Sequence, residues 1–220
     1  MALDLDGPRL PPANGQKPRK LVIFLHGYGA DGNDLIQLGQ QWATNMPDTA
    51  FVSPHAPEPC AMAGGGGGRQ WFDLTFRDPN EYWRGVTKAG PGLDAFIDRE
   101  RDRYGLRDSD VALVGFSQGT MMALHVGLRR ANPLGAIVGY SGALAGGEHL
   151  KGDLKSRPPL LLVHGDRDDV IPIHMLFMAL QGLSGAEVPV EFHISEGIGH
   201  GIDGEGLRIA GHFLASNLKG

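Results

Sequence analysis

The stretch "VALVGFSQGTMMALHVG", residues 111–127, decides the fold. Its first five residues are apolar and β-branched-rich, which suits a buried strand. From Ser117 onward the pattern changes to one that suits a helix. Ser117 stands at the join, with Gly115 and Gly119 two residues away on each side. In a chain with 34 glycines the bare Gly-x-Ser-x-Gly pattern is weak. Its setting between a strand and a helix makes it a nucleophile elbow, a sharp turn that lifts a serine hydroxyl above the end of a sheet. Side chains at the flanking glycines would crowd that turn. The head of the helix also brings amides and the positive end of a dipole close to developing negative charge. A glycine-flanked N-cap serine is the bland alternative.

Outward from the elbow, short apolar runs at 20–26, 50–54, 111–115, 135–141, 160–165 and 190–195 read as strands. Several are continuously apolar, as parallel strands covered on both faces are. Helical patterns lie between them at 34–45, 93–104, 117–131, 172–183 and 205–218. Strands alternating with helices predict βαβ units. The expected fold class is therefore α/β: a mostly parallel sheet with helices on both faces, in one domain over 1–220. Residues 1–19 form an N-terminal extension. Residues 55–90 break the rhythm and are expected to form an irregular loop near the site, containing a five-glycine run at 64–68.

Composition narrows the function. The net charge of −5 gives no basic footprint for nucleic acid and no polybasic patch for an anionic membrane. A single cysteine, Cys60, rules out an intrachain disulfide. The N-terminus lacks the charged and apolar regions of a signal peptide, and no apolar run has the length of a membrane span. The expectation is a soluble cytoplasmic protein without stable membrane insertion. No His/Cys/Asp/Glu cluster has metal-ligand spacing, so a catalytic metal is not expected. The oligomeric state stays open, a homodimer being one option.

A serine hydroxyl needs a base, and the base needs an acid to hold it. In a fold of this kind the acid and histidine follow the serine in that order, each in a loop beyond a strand. "LLLVHGDRDDVIP" (160–172) supplies Asp166, Asp168 and Asp169 after one strand. "VEFHISEGIGHGID" (190–203) supplies His200, flanked by Gly199 and Gly201, after the last. Of the nine histidines, His200 alone combines that loop with small neighbours. An oxyanion hole needs two N–H donors. One is expected from Gln118, after the serine, and the other from the glycine-rich loop "FLHGYGADGNDL" (24–35).

Together "LHGYGADGNDL", "GFSQG", "WFD", "HGDRDDVIP" and "GIGHGI" resemble the carboxylesterase/phospholipase family of α/β-hydrolases, which includes bacterial carboxylesterases and acyl-protein thioesterases. The resemblance runs from about residue 21 to the end of the chain. It implies the α/β-hydrolase fold and hydrolysis of carboxylic esters by a Ser–Asp–His triad without a cofactor. It selects Asp168 among the three acids, with Ile171 where the family pattern has valine. Asp166 then braces its loop. It also assigns the second oxyanion donor to Tyr28. The glycine run is outside the family pattern. The expected substrate wall consists of Trp71, Phe72, Phe116, Met121, Met175 and Ile198, with Tyr28 beside them. An apolar wall of this kind suits the acyl or alkyl chain of a small-molecule or lipid ester. Trp71 is expected to move on the glycine run. Rival readings are an acyl-protein thioesterase or lysophospholipase with the same triad, and a non-catalytic binding module of the same fold.

Overall fold

The computed structural model of the protein describes residues 5–60, 67–75, 78 and 80–219. In chain order the elements are β1 (Arg9–Leu10), β2 (Lys20–Leu25), α1 (Gly32–Trp42), β3 (Thr49–Val52), β4 (Glu58–Pro59), β5 (Arg69–Gln70), α2 (Glu81–Tyr104), β6 (Val111–Phe116), α3 (Gln118–Gly127), β7 (Ala136–Tyr140), α4 (Gly147–Asp153), β8 (Leu160–Gly165), α5 (His174–Gly185), β9 (Glu191–Ser195) and α6 (Gly204–Asn217). Among the described residues, seven strands form one sheet in the order β1-β3-β2-β6-β7-β8-β9. All its neighbours are parallel except β1 against β3. This is the mostly parallel sheet the sequence predicts.

The apolar runs of the inner strands are buried throughout because both faces are covered. Alternate residues feed two cores. Leu21, Ile23, Leu113 and Ile137 face the side on which Met122, Leu93 and Phe96 pack. Val22, Phe24, Val114 and Val138 face Ile36, Trp42, Phe213 and Leu214. Helices α2 and α3 thus cover one face, and α1 and α6 the other.

Strand order matters for the site. The chain leaves β2 in one direction toward β3, then returns to lay β6 on the other flank of β2. The loops after β2 and β6 therefore splay apart above the sheet and leave a crevice at their carboxyl ends. Gly27 and Tyr28 follow β2, and Ser117 follows β6.

The segment at 55–90 departs from expectation. It carries a small antiparallel hairpin, β4 with β5, in which Glu58 pairs with Gln70 and Pro59 with Arg69. Its last ten residues belong to α2, which runs from Glu81 straight through Pro91 to Tyr104. Gly85, Gly90, Pro91 and Gly92 lower helix propensity enough to hide those turns in the sequence. Burial on one face, through Val86, Leu93, Phe96 and Ile97, overrides it. Residues 64–66 of the glycine run lie outside the described residues. Helix α4 and the two-residue β1 were not anticipated either, both being too short to show a period. Among the described residues, no helix is long and apolar enough to cross a membrane.

Candidate active site

Ser117 occupies the strained backbone position that an elbow requires, with φ 53° and ψ −115°. A non-glycine residue there costs on the order of 1–3 kcal/mol. Its surroundings hold it. The Ser117 N–H donates to Tyr140 O at 2.9 Å, and its carbonyl accepts from Thr120 N–H and Met121 N–H at 3.0 and 3.3 Å. The two glycines are explained by close approach. A Cβ on Gly115 would stand 2.5 Å from the Gly119 carbonyl carbon, and one on Gly119 would collide with the Leu25 carbonyl. Strand β6 and helix α3 can meet at that angle only without these side chains.

The acid loop follows β8. Of its three acids, Asp166 and Asp169 are exposed and Asp168 is buried. Asp168 Oδ1 accepts from Val170 N–H at 2.9 Å and Ile171 N–H at 2.8 Å. Its Oδ2 lies 2.8 Å from His200 Nδ1. An ionised carboxylate only accepts, so Nδ1 carries the hydrogen and Nε2 keeps its lone pair. His164 supports the same loop: its Nε2 donates to Ile171 O at 2.7 Å and stands 3.5 Å from Asp168 Oδ2. Asp166 ties the acid loop to the histidine loop, accepting from Gly197 N–H at 2.6 Å. Arg167 N–H adds a bond to Ile198 O at 2.9 Å. His200 also packs on the Phe116 ring, next to Ser117, with centroids 4.9 Å apart.

On the other side, the loop after β2 is held from several directions. His26 is fully buried. Its Nε2 accepts from Ala56 N–H at 3.0 Å, and its Nδ1 donates to Gly27 O at 2.8 Å. Burial pushes the His26 imidazole down to about 4, although the Gly27 carbonyl pulls the other way. The neutral ring is thus the form that fits both bonds. Tyr28 is partly buried, and burial together with the Cys60 thiol raises its phenol to about 12. At the head of α3, the Thr120 and Met121 amides are taken by Ser117 O. The loop after β2 comes close to the elbow: a Cβ on Gly27 would stand 3.5 Å from Ser117 Cβ.

The expected substrate wall needs correction. Trp71 is 1%, Phe72 2% and Met121 2% exposed, so these three belong to the core. The Trp71 indole has its partner inside, donating to His26 O at 3.0 Å. Phe72 lies against Gly85 of α2, where a Cβ would collide with its ring. Tyr28, Phe116, Met175 and Ile198 remain partly exposed. Sequence reading gave no role to the His26 ring or the Gln118 side chain. The available signal was a histidine directly after the wholly apolar run of β2. No group of three or more candidate metal ligands occurs among the described residues.

A profile of the Phospholipase/Carboxylesterase family matches residues 12–218. The chain belongs to the phospholipase/carboxylesterase family. It is thereby a hydrolase of the esterase and thioesterase group with an α/β-hydrolase fold. Among relatives, it is 30% identical to acyl-protein thioesterase 1 of Saccharomyces cerevisiae over 218 residues, covering 93% of this chain and 95% of that one. It is 26% identical to esterase YpfH of Escherichia coli, covering 87% and 80% of the two chains. Among solved structures, esterase PE8 superposes with a TM-score of 0.92 at 44% identity, covering 97% of this chain and 99% of that one. SOBER1 of Arabidopsis thaliana superposes with a TM-score of 0.80 at 26% identity, covering 91% and 100%.

Proposed function

We propose that this family member is a serine esterase acting on carboxylic esters through an acyl-enzyme. The observation that carries the reading is the His200–Asp168 pair at 2.8 Å, with the His200 ring packed on Phe116, the neighbour of the strained Ser117. Ser117 Oγ attacks the ester carbonyl while His200 Nε2 takes its proton. Asp168 holds the imidazole in the useful tautomer and stabilises the imidazolium. The carbonyl π pair moves onto oxygen, where the Tyr28 and Gln118 N–H groups receive it. Collapse expels the alcohol, which takes the proton from His200. Water then repeats the sequence on the acyl-enzyme and releases the acid. Family membership and the similarity to esterase PE8 support an ester substrate. The acyl-protein thioesterase of S. cerevisiae supports a second reading, a thioester in the same site.

Both are tested with an oxygen ester and a thioester of the same acyl chain. The ester reading predicts the higher kcat/KM on the oxygen ester. In either case Ser117→Ala lowers kcat by a factor on the order of 10⁴ or more, because triad members act as a unit. A thioester preference selects the second reading, and an active Ser117→Ala variant rejects both.

A further inference from the structure

One short segment touches both sides of the candidate oxyanion hole. Gly29 N–H donates to Arg69 O at 2.9 Å, and Arg69 N–H donates to Ala30 O at 2.7 Å. Two residues on, Trp71 N–H donates to Gln118 Oε1 at 2.9 Å, and Gln118 Nε2 donates to Phe72 O at 2.8 Å. The Trp71 indole closes the figure by donating to His26 O at 3.0 Å. Residues 69–72 are thus bonded on one edge to the loop that carries Tyr28. On the other edge they are bonded to the side chain of the residue after Ser117.

The chemistry of this contact is specific. A carboxamide presents an acceptor and a donor in one plane, and here each meets its complement on adjacent residues. Gln118 and Trp71 are each 1% exposed, so water cannot replace a lost bond. Leaving a buried amide or carbonyl unpaired is costly, and a local shift of the segment would relieve that cost. A shift here would move the Tyr28 peptide relative to the Gln118 peptide. Oxyanion donors act at about 2.7–3.1 Å from the developing charge, so small displacements reduce their effect.

We propose that the Gln118 carboxamide is a positioning residue. By clamping Trp71 and Phe72 it makes residues 69–72 a splint, which fixes the spacing between the Tyr28 and Gln118 amides. This rests on the reading of Ser117 as nucleophile and of those two amides as oxyanion donors. The splint acts on the transition state, so its loss falls on kcat and leaves KM nearly unchanged.

The test uses the full chain with Gln118→Ala, Gln118→Glu and Trp71→Phe. It measures ester kinetics and the affinity of a trifluoromethyl ketone. Ser117 adds to that ketone, its proton passes to His200, and an oxyanion forms at the ketone oxygen. Gln118→Ala is expected to lower kcat about 100-fold with KM within about threefold, and to weaken the ketone by the same factor as kcat/KM. Gln118→Glu places a carboxylate oxygen against Phe72 O at high pH. Burial favours its neutral form, which both donates and accepts, so activity relative to the parent recovers about tenfold between pH 9 and pH 6. Gln118→Ala shows no such recovery. Trp71→Phe keeps an aromatic ring and the backbone bond to Gln118 but loses the indole N–H and some buried volume, and is expected to cost about tenfold in kcat. Combined with Gln118→Ala it costs less than the product of the two, because both act on one splint.

A fluorophosphonate separates the layers. A parent enzyme not labelled at Ser117 overturns the underlying reading and the proposal with it. A parent labelled there, with folded Gln118→Ala keeping kcat and ketone affinity within about twofold, overturns the splint alone. So does a Gln118→Glu variant without acid recovery.

Discussion

Two loop systems approach Ser117 from opposite sides, and they are held by different chemistry. On the β8–β9 side the contacts are made by carboxylates. Asp168 binds the amides two and three residues further on, and Asp166 binds Gly197. On the β2 side they are made by amides, carbonyls and neutral rings. Trp71 reaches Gln118 and His26, Arg69 reaches Gly29 and Ala30, and Ala56 reaches His26. In the proposed mechanism the first system orients a base by charge. The second holds peptide groups at a fixed spacing by packing and neutral hydrogen bonds. Mutations should therefore separate them: one side fails in turnover with stability little changed, and on the other a large truncation costs stability as well as turnover.

The largest effect belongs to the acid. Asp168→Asn keeps the shape but favours the wrong imidazole tautomer, and is expected to lower kcat on the order of 10⁴-fold. Asp166→Asn keeps an acceptor for Gly197 N–H and should cost far less. Ester turnover together with thermal melting checks both. Equal losses would mean that the two aspartates share the role.

On the other side, Trp71→Ala removes a buried ring and its indole bond. It is expected to destabilise the protein by about 3–5 kcal/mol, measured by urea unfolding. The remaining folded enzyme should lose turnover by the same factor on short and long acyl esters, because Trp71 presents no surface to a chain. A change in chain-length preference would return Trp71 to the substrate wall.

The smallest effect is on pH stability. The unfolded chain protonates His26 near ~6.5, whereas the buried ring resists protonation down to about 4. The stabilisation is therefore complete above ~6.5 and is lost as pH falls from ~6.5 to about 4, amounting to ~3 kcal/mol. His125, which burial and then Arg129 likewise lower to about 4, acts with the same sign from α3. Urea unfolding at pH 7 and pH 4.5 should show the loss. His125→Gln should flatten that slope and leave ester turnover unchanged. An unaltered slope would show that His125 protonates equally in both states.

The same division explains what was legible in the sequence. The elbow, the acid loop and the histidine loop announce themselves because their constraints are local. Two glycines must vanish into one turn, and an acid and a histidine must follow particular strands. The continuous apolar runs gave the parallel sheet for the same reason. Trp71 and Phe72 read as a wall because an aromatic in an irregular segment carries no sign of what lies above it, and Met121 because the helix pattern of α3 does not tell which of its apolar faces is covered. Only the fold reveals that Gly85 of α2 leaves room for Phe72 and that His26 O awaits the Trp71 indole. The first three turns of α2 were hidden by Pro91 and its glycine neighbours, whose cost is offset by burial on one face.

The central claim is that Ser117 carries the acyl group during turnover. An acid quench of the enzyme during p-nitrophenyl ester hydrolysis, followed by peptide mapping, tests it directly. The account predicts a product burst of one equivalent per active site and the acyl group on the Ser117 side-chain Oγ. Turnover without a burst, or an acyl group on another residue, would contradict it.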